Sequence, residues 1–318
     1  MISAVERRRI YIFVALAYGM SIILALVIFL TGGIYLTIPG PMRPLALILM
    51  MVLMCVPAVA NIVTRLITRE GWSNTLLRPN FRRGWPFYLV GWIAPALAII
   101  VGGVIFYLLF PDRFDPSMSY MRQTFGVDIH ATANPWTVLI SRLLITAVAT
   151  IPTLPLMLGE EFGWRAYLLP KLMPLGARKA VLLLGVIHGA WHWPFFPMGY
   201  NYGFDYWGLP VVAAALLYLM VVTFFSTFFA WLTLRSGTVW PAALAHGTVN
   251  NTADAMLNFI RGAPNHLVGP LPLGIIGMLG FALLALPIFV SRSALAPMDG
   301  PRPAAPKAVQ AAAPGAAD

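Results

Sequence analysis

"IYIFVALAYGMSIILALVIFL", residues 10–30, carries no charged side chain and follows directly on Glu6, Arg7, Arg8 and Arg9. A bilayer's hydrocarbon core asks roughly 20 consecutive apolar residues of a spanning helix, and this run meets that length. It is longer than a signal-peptide core of about 7–15 residues, and no small-x-small cleavage site follows, so it reads as a retained first span. The rest of the chain repeats the pattern. It is 59% hydrophobic and 10% charged, where about a quarter of the residues in a soluble domain are charged. Apolar runs at about 45–67, 86–110, 136–158, 178–194, 209–234, 239–260 and 270–291 complete a set of eight. The expected fold class is all-α, a polytopic transmembrane helix bundle of about eight spans. A membrane-embedded domain is expected over residues 1–293, with its motif-bearing core at about 136–260. The Pro- and Ala-rich stretch 294–318 is expected to be disordered.

Charge tests this arrangement. With the N terminus in the cytoplasm and sides alternating, Arg7, Arg8, Arg9, Arg65, Arg69, Arg78, Arg82, Arg83, Arg165, Lys171, Arg178, Lys179, Arg235, Arg292, Arg302 and Lys307 fall inside, 16 of the 21 basic residues. Arg43, Arg113, Arg122 and Arg261 fall outside, and Arg142 lies within the fourth run. That asymmetry is what the positive-inside rule requires, with both termini cytoplasmic. The net charge of +10 is thus explained by topology. The basic residues form no aromatic-interleaved stripe, so no nucleic-acid partner is expected, and the lipid bilayer is the expected surrounding. An Arg- and Ala-rich composition points to a bacterial inner membrane. Cys55 is the single cysteine, which excludes an internal disulfide and a thiolate metal cage. Trp85, Trp136, Trp193, Trp207 and Trp240 lie near span ends, as interfacial anchors do.

Against this apolar background three polar stretches stand out. "LMLGEEFGWRAYLLP" (156–170) holds Glu160 and Glu161, half of the chain's four glutamates, together with Arg165. "GVIHGAWHWP" (185–194) holds His188 and His192, and "WPAALAHGTVNNTADAMLN" (240–258) holds His246, Asn250 and Asp254. Ionisable groups in a span cost roughly 2.5–3.5 kcal/mol each on insertion scales, so they face the bundle interior and mark function. The spacing is helical: His188 and His192 share a face, as do His246, Asn250 and Asp254, and Glu161 precedes Arg165 by four, the favourable order for an ion pair. Glu160 points roughly 100° away from Glu161. Arg165 therefore neutralises Glu161 and leaves Glu160 for chemistry. A structural reading is available for each stretch alone: a charged cap for 160–165, packing histidines for 188 and 192, and an Asp254–Arg142 pair. The coincidence of all three favours a catalytic site.

"EEFGWR" fits the EExxxR signature of the CPBP (or ABI) intramembrane proteases, which include the Ras-converting CAAX endopeptidases. His188 falls where their second motif places a histidine, and "HGTVN" (His246 to Asn250) fits their third, HxxxN. The chain resembles this family over about residues 136–260. Leu184 stands where an aromatic is usual and Ala166 where glycine is frequent, positions that concern packing. The resemblance implies an intramembrane endopeptidase acting on a peptide or protein substrate, either a prenylated CAAX-type chain end or a small peptide. On this reading Glu160 and His188 hold and deprotonate a water, His246 and Asn250 stabilise the oxyanion, and Glu161, Arg165 and His192 support the site. No cofactor is favoured. The alternative is a zinc enzyme, since His188 and His192 have the i, i+4 spacing of a zinc helix and Glu160 and His246 complete an N/O set; "HGAWH", however, lacks the glutamate of HExxH. A non-enzymatic peptide-binding or immunity protein, or a proton-coupled transporter, would use the same polar stripes differently.

Overall fold

The computed structural model of the chain describes residues 2–36, 41–125, 134–203, 209–291 and 293–296. These residues form α1 (Ala4–Leu30), α2 (Pro44–Ile67), α3 (Phe81–Leu109), the short α4 (Ser119–Phe125), α5 (Pro135–Gly163), α6 (Leu169–Leu172), α7 (Ala177–Trp191), α8 (Leu209–Ser236), α9 (Trp240–Thr252) and α10 (Leu279–Val290). Isolated bridges, such as Tyr35 with Met42 and Phe114 with Ile260, are the only β-pairing among the described residues. The fold is all-α, as the apolar runs predict. Among the described residues, five helices are long and apolar enough to cross a membrane: α1, α2, α3, α8 and the continuous helix that begins with α5. Large apolar side chains such as Leu30, Leu108 and Val148 are exposed on the outer surface, which fits lipid as the solvent.

Two expected spans differ from what forms. The run 239–260 is helical only to Thr252 and continues as a 3₁₀ segment, Ala255–Phe259. The run 270–291 becomes helical only at Leu279, because the turns before it, with Pro270, Pro272, Gly274 and Gly277, cannot sustain a helix. Residues 297–318, most of the expected disordered tail, lie outside the described residues, as do Trp207 and most of the connection expected at 111–135 beyond Phe125.

Helix starts follow local chemistry. Ser3 Oγ accepts the Glu6 amide at α1, and at α5 Asn134 accepts the Trp136 amide while Pro135 occupies the first turn. α9 is the most enclosed element, packed against α3, α5 and α8 with every residue from Pro241 to Val249 buried. Its Ala242, Ala243, Ala245 and Gly247 let neighbouring backbones approach closely. α2 and α5 are equally tight. A Cβ on Gly159 would lie 2.7 Å from the Met54 carbonyl oxygen, and one on Gly163 2.4 Å from Pro57 Cβ.

The ends of the bundle differ in character. Lys171 Nζ lies 2.7 Å from both Glu6 Oε2 and Glu70 Oε1, and Arg9 joins the same group. Arg65, buried, donates to Asn61 Oδ1 at 2.7 Å and Asn74 Oδ1 at 2.8 Å, with its guanidinium against the Trp72 and Tyr167 rings. This ion network closes the arginine-rich end. At the other end Asp115 is buried under the 253–278 connection, its amide donating to the Phe259 carbonyl at 2.7 Å.

Candidate active site

Four elements bring the polar stretches to one place. α5 delivers Glu160 and Glu161 at its C-terminal end, α7 delivers His188, α9 delivers His246 and Asn250, and α8 adds Ser226. After Glu161 the helix widens. Trp164 N–H donates to the carbonyls of both Glu160 and Glu161, and over Trp164–Leu168 the ladder runs i to i+5. Such π-turns occur often at functional sites because they rotate side chains off the regular helical register. Asn61 on α2 donates its amide to the Phe162 carbonyl at 3.0 Å, fixing the start of the widened turn from outside.

Each predicted site residue except Asn250 is buried. The two glutamates do separate work, as their 100° offset predicts. Glu161 Oε1 accepts from Arg165 Nη1 at 2.9 Å and from His246 Nδ1 at 2.8 Å, so one oxygen is shared by two donors from different helices. Arg165 extends the group, with Nη2 donating to Ser226 Oγ at 2.9 Å and the guanidinium over the Phe229 ring. Glu160 Oε2 lies 3.0 Å from His188 Nε2. The other ring nitrogen, His188 Nδ1, is 3.3 Å from Arg165 Nη1. A guanidinium can only donate, so Nδ1 is the acceptor and the imidazole proton sits on Nε2, pointing at Glu160.

His192 caps α7. Its Nδ1 donates to the His188 carbonyl at 3.1 Å, and its ring stacks parallel to Tyr200. Asn250 is exposed, and its amide nitrogen has a 3.5 Å contact with Met157 Sδ. Arg142 pairs with Asp254 as expected of a structural pair, one turn beyond Asn250. Sequence reasoning missed Asn61, Ser226, Tyr200 and Tyr218. Asn61 had a readable signal, an i, i+4 partner for Arg65 at the end of an apolar run; the others are single polar groups in aromatic surroundings and carry none.

Glu160, His188, His192, His246 and Asn250 line one cavity of about 450 Å³, with Met50, Met54 and Leu53 of α2 forming an apolar wall. Glu160, His188 and His192 offer ligand atoms within 4.8 Å of one another, and His192 Nε2 keeps a free lone pair. His188 does not fit, because a ligating histidine donates its other ring N–H to an acceptor, and here the neighbour of Nδ1 is the donor Arg165.

The chain is an integral membrane protein with an acid–histidine site enclosed in its helix bundle. Residues 132–252, less than half of the chain but including every site residue predicted from the sequence, match the family described as type II CAAX prenyl endopeptidase Rce1-like. The match to that protease family agrees with the resemblance carried by the three motifs. No curated protein matches the chain.

Proposed function

We propose that the chain is an intramembrane endopeptidase working by a glutamate-activated water without a metal. The observation that carries this reading is the Glu160–His188 pair, 3.0 Å apart, lining the same cavity as His246 and Asn250. Glu160 takes the proton from a water as it attacks the substrate carbonyl, then returns it to the leaving amine. His188 holds the Glu160 carboxylate through Nε2–H. The oxyanion forms against Asn250 and His246. Because Glu161 takes the Nδ1 hydrogen of His246, Nε2 donates only when the ring is an imidazolium, whose charge the Glu161 carboxylate balances. Arg165 and Ser226 hold Glu161 in place, and His192 closes the end of α7. The donor facing His188 Nδ1 supports this reading over the zinc alternative.

The positive-inside asymmetry supports cytoplasmic termini, and the Arg- and Ala-rich composition supports a bacterial inner membrane. The substrate is a polypeptide; whether it carries a prenyl group is decided by the same experiment that tests the activity. New protein termini are profiled in membranes of cells holding equal amounts of wild type or Glu160→Gln. Termini that appear only with wild type support proteolysis and name the substrates. Identical profiles, with His188→Ala and Asn250→Ala also silent, remove the enzyme reading and leave peptide binding in its place.

A further inference from the structure

Among the described residues, the connections that line the cavity all lie on one face of the protein. Tyr35 and Met42 come from the α1–α2 connection, Tyr200 and Asn201 from the α7–α8 connection, and Pro272 and Leu273 from the segment between α9 and α10. All three belong to the arginine-poor side. None of the lining residues comes from 68–80, 164–176 or 236–239, the connections on the arginine-rich side.

Burial follows the same direction. On α9, Asn250 is exposed while His246, one turn toward Trp240, is buried. Trp240 itself is tied to the arginine-rich side, its Nε1 donating to the Leu77 carbonyl at 2.7 Å. Beneath the catalytic pair, Glu161, Trp164, Arg165, Tyr167 and Leu168 are all 0–1% exposed, so water does not reach these side chains from the arginine-rich side. Below it lies the network of Arg65, Glu70, Lys171 and Glu6. Positive-inside reasoning puts that sealed, arginine-rich face in the cytoplasm.

The lining also restricts what can enter. Tyrosines aside, its ionisable side chains are Glu160, His188, His192 and His246, all belonging to the site, and the rest of the wall is mainly apolar, with Met50, Met54, Val222 and Phe225. A charged substrate side chain seated there would lose its water and find no counter-charge of its own.

We infer that the site is reached from the extracytoplasmic side of the membrane, and that its substrate is an uncharged, apolar stretch of polypeptide presented at that surface. The second half rests on the protease reading above; the access face does not.

Cysteine labelling of the full chain in intact cells tests it. Cys55, the only native cysteine, is replaced by alanine, and single cysteines are placed at Asn201, Met54 or Ser73. A membrane-impermeant maleimide is expected to label Asn201→Cys quickly and Met54→Cys more slowly in intact cells, and Ser73→Cys only after the cells are opened. An excess of a synthetic, uncharged, apolar hexapeptide amide is expected to slow labelling of Met54→Cys at least fivefold, while the same peptide with a central lysine or glutamate leaves the rate unchanged. The access face is overturned if Met54→Cys reacts only in opened cells, or from neither side while Asn201→Cys reacts. The substrate class is overturned if the charged peptides protect as well as the neutral one, or if none protects. Labelling needs no turnover, so it is read equally in a Glu160→Gln background. A protein that labels from outside yet cleaves nothing loses the protease reading and keeps its access face.

Discussion

Asn61 Nδ2 lies 3.0 Å from the backbone carbonyl oxygen of Phe162, a bond from α2 to the turn where α5 widens beside Glu160 and Glu161. Its Oδ1 meanwhile accepts from Arg65 Nε at 2.7 Å. One buried amide thus connects the site to the ion network at the arginine-rich end, and both bonds lie out of contact with water.

Asn61→Leu keeps the approximate volume and deletes both bonds, leaving Arg65 Nε buried without this partner. Orphaning a buried polar group costs about 1–3 kcal/mol, more where it is charged. The variant is expected to unfold at a lower temperature in detergent, and to lose kcat with little change in KM, since Asn61 touches no substrate. Unchanged kcat at unchanged stability would show that the widened turn holds itself.

Glu160 and Glu161 are expected to part company on substitution. Glu161→Gln removes the charge shared by Arg165 and His246 in a fully buried setting, and breaking one partner of such a pair typically costs about 3–5 kcal/mol. Glu160→Gln leaves that group intact and is expected to retain most of the thermal stability while abolishing turnover. Thermal midpoints and single-turnover rates for the two purified variants check this directly. Equal destabilisation by both would mean that the two carboxylates form one structural unit.

Asn250→Ala should lower kcat by about a hundred- to thousandfold, the usual effect of deleting an oxyanion donor. The side chain is exposed, with only the 3.5 Å contact to Met157 Sδ, so stability should not change. Steady-state kinetics with a substrate found by terminus profiling provides the readout. A rise in KM at constant kcat would instead assign Asn250 to substrate binding.

Chelation separates the two mechanisms. Because His188 Nδ1 faces a guanidinium donor, prolonged treatment with 1,10-phenanthroline is expected to leave activity within about twofold of the untreated enzyme, the margin of a change too small to matter energetically. Elemental analysis should find no stoichiometric zinc. Activity that disappears with the metal and returns with added zinc would require His188 to turn its other nitrogen outward.

Acid should loosen the arginine-rich end. Burial alone would raise the Glu70 carboxyl, but the Lys171 hydrogen bond and the charges of Lys171, Arg65 and Arg9 outweigh it and hold the group below its ordinary value of 4.5. A depressed carboxyl contributes stability that is fully present above the unfolded value and is lost as pH falls through the folded one. Thermal stability is therefore expected to be insensitive to pH near neutrality, where the Glu70 contribution is fully present, and to fall progressively below pH 4.5. Glu70→Gln should be less stable at neutral pH and should converge on wild type in acid. Parallel curves across the whole range would refute the assignment.

The apolar runs alone determine that this is a helical membrane protein, because hydrocarbon admits only helices and closed barrels, and uninterrupted runs of about 20 apolar residues lack the alternation of barrel strands. The three motifs likewise announce Glu160, His188, His246 and Asn250, since ionisable groups in such runs are too costly to be incidental. Helical spacing even predicts the Glu161–Arg165 pair and the divergence of Glu160 from Glu161, both local consequences of 3.6 residues per turn. What required the tertiary structure is everything that joins one helix to another. That His246 meets Glu161 rather than Glu160, that Arg165 faces a histidine nitrogen, and that Asn61 braces Phe162 all depend on how α2, α5, α7 and α9 pack. Packing also decided which end of the bundle is sealed. Spacing along a chain specifies the face a side chain shares with its neighbours four residues away; only the close approach permitted by residues such as Gly159 and Gly163 specifies what that face meets.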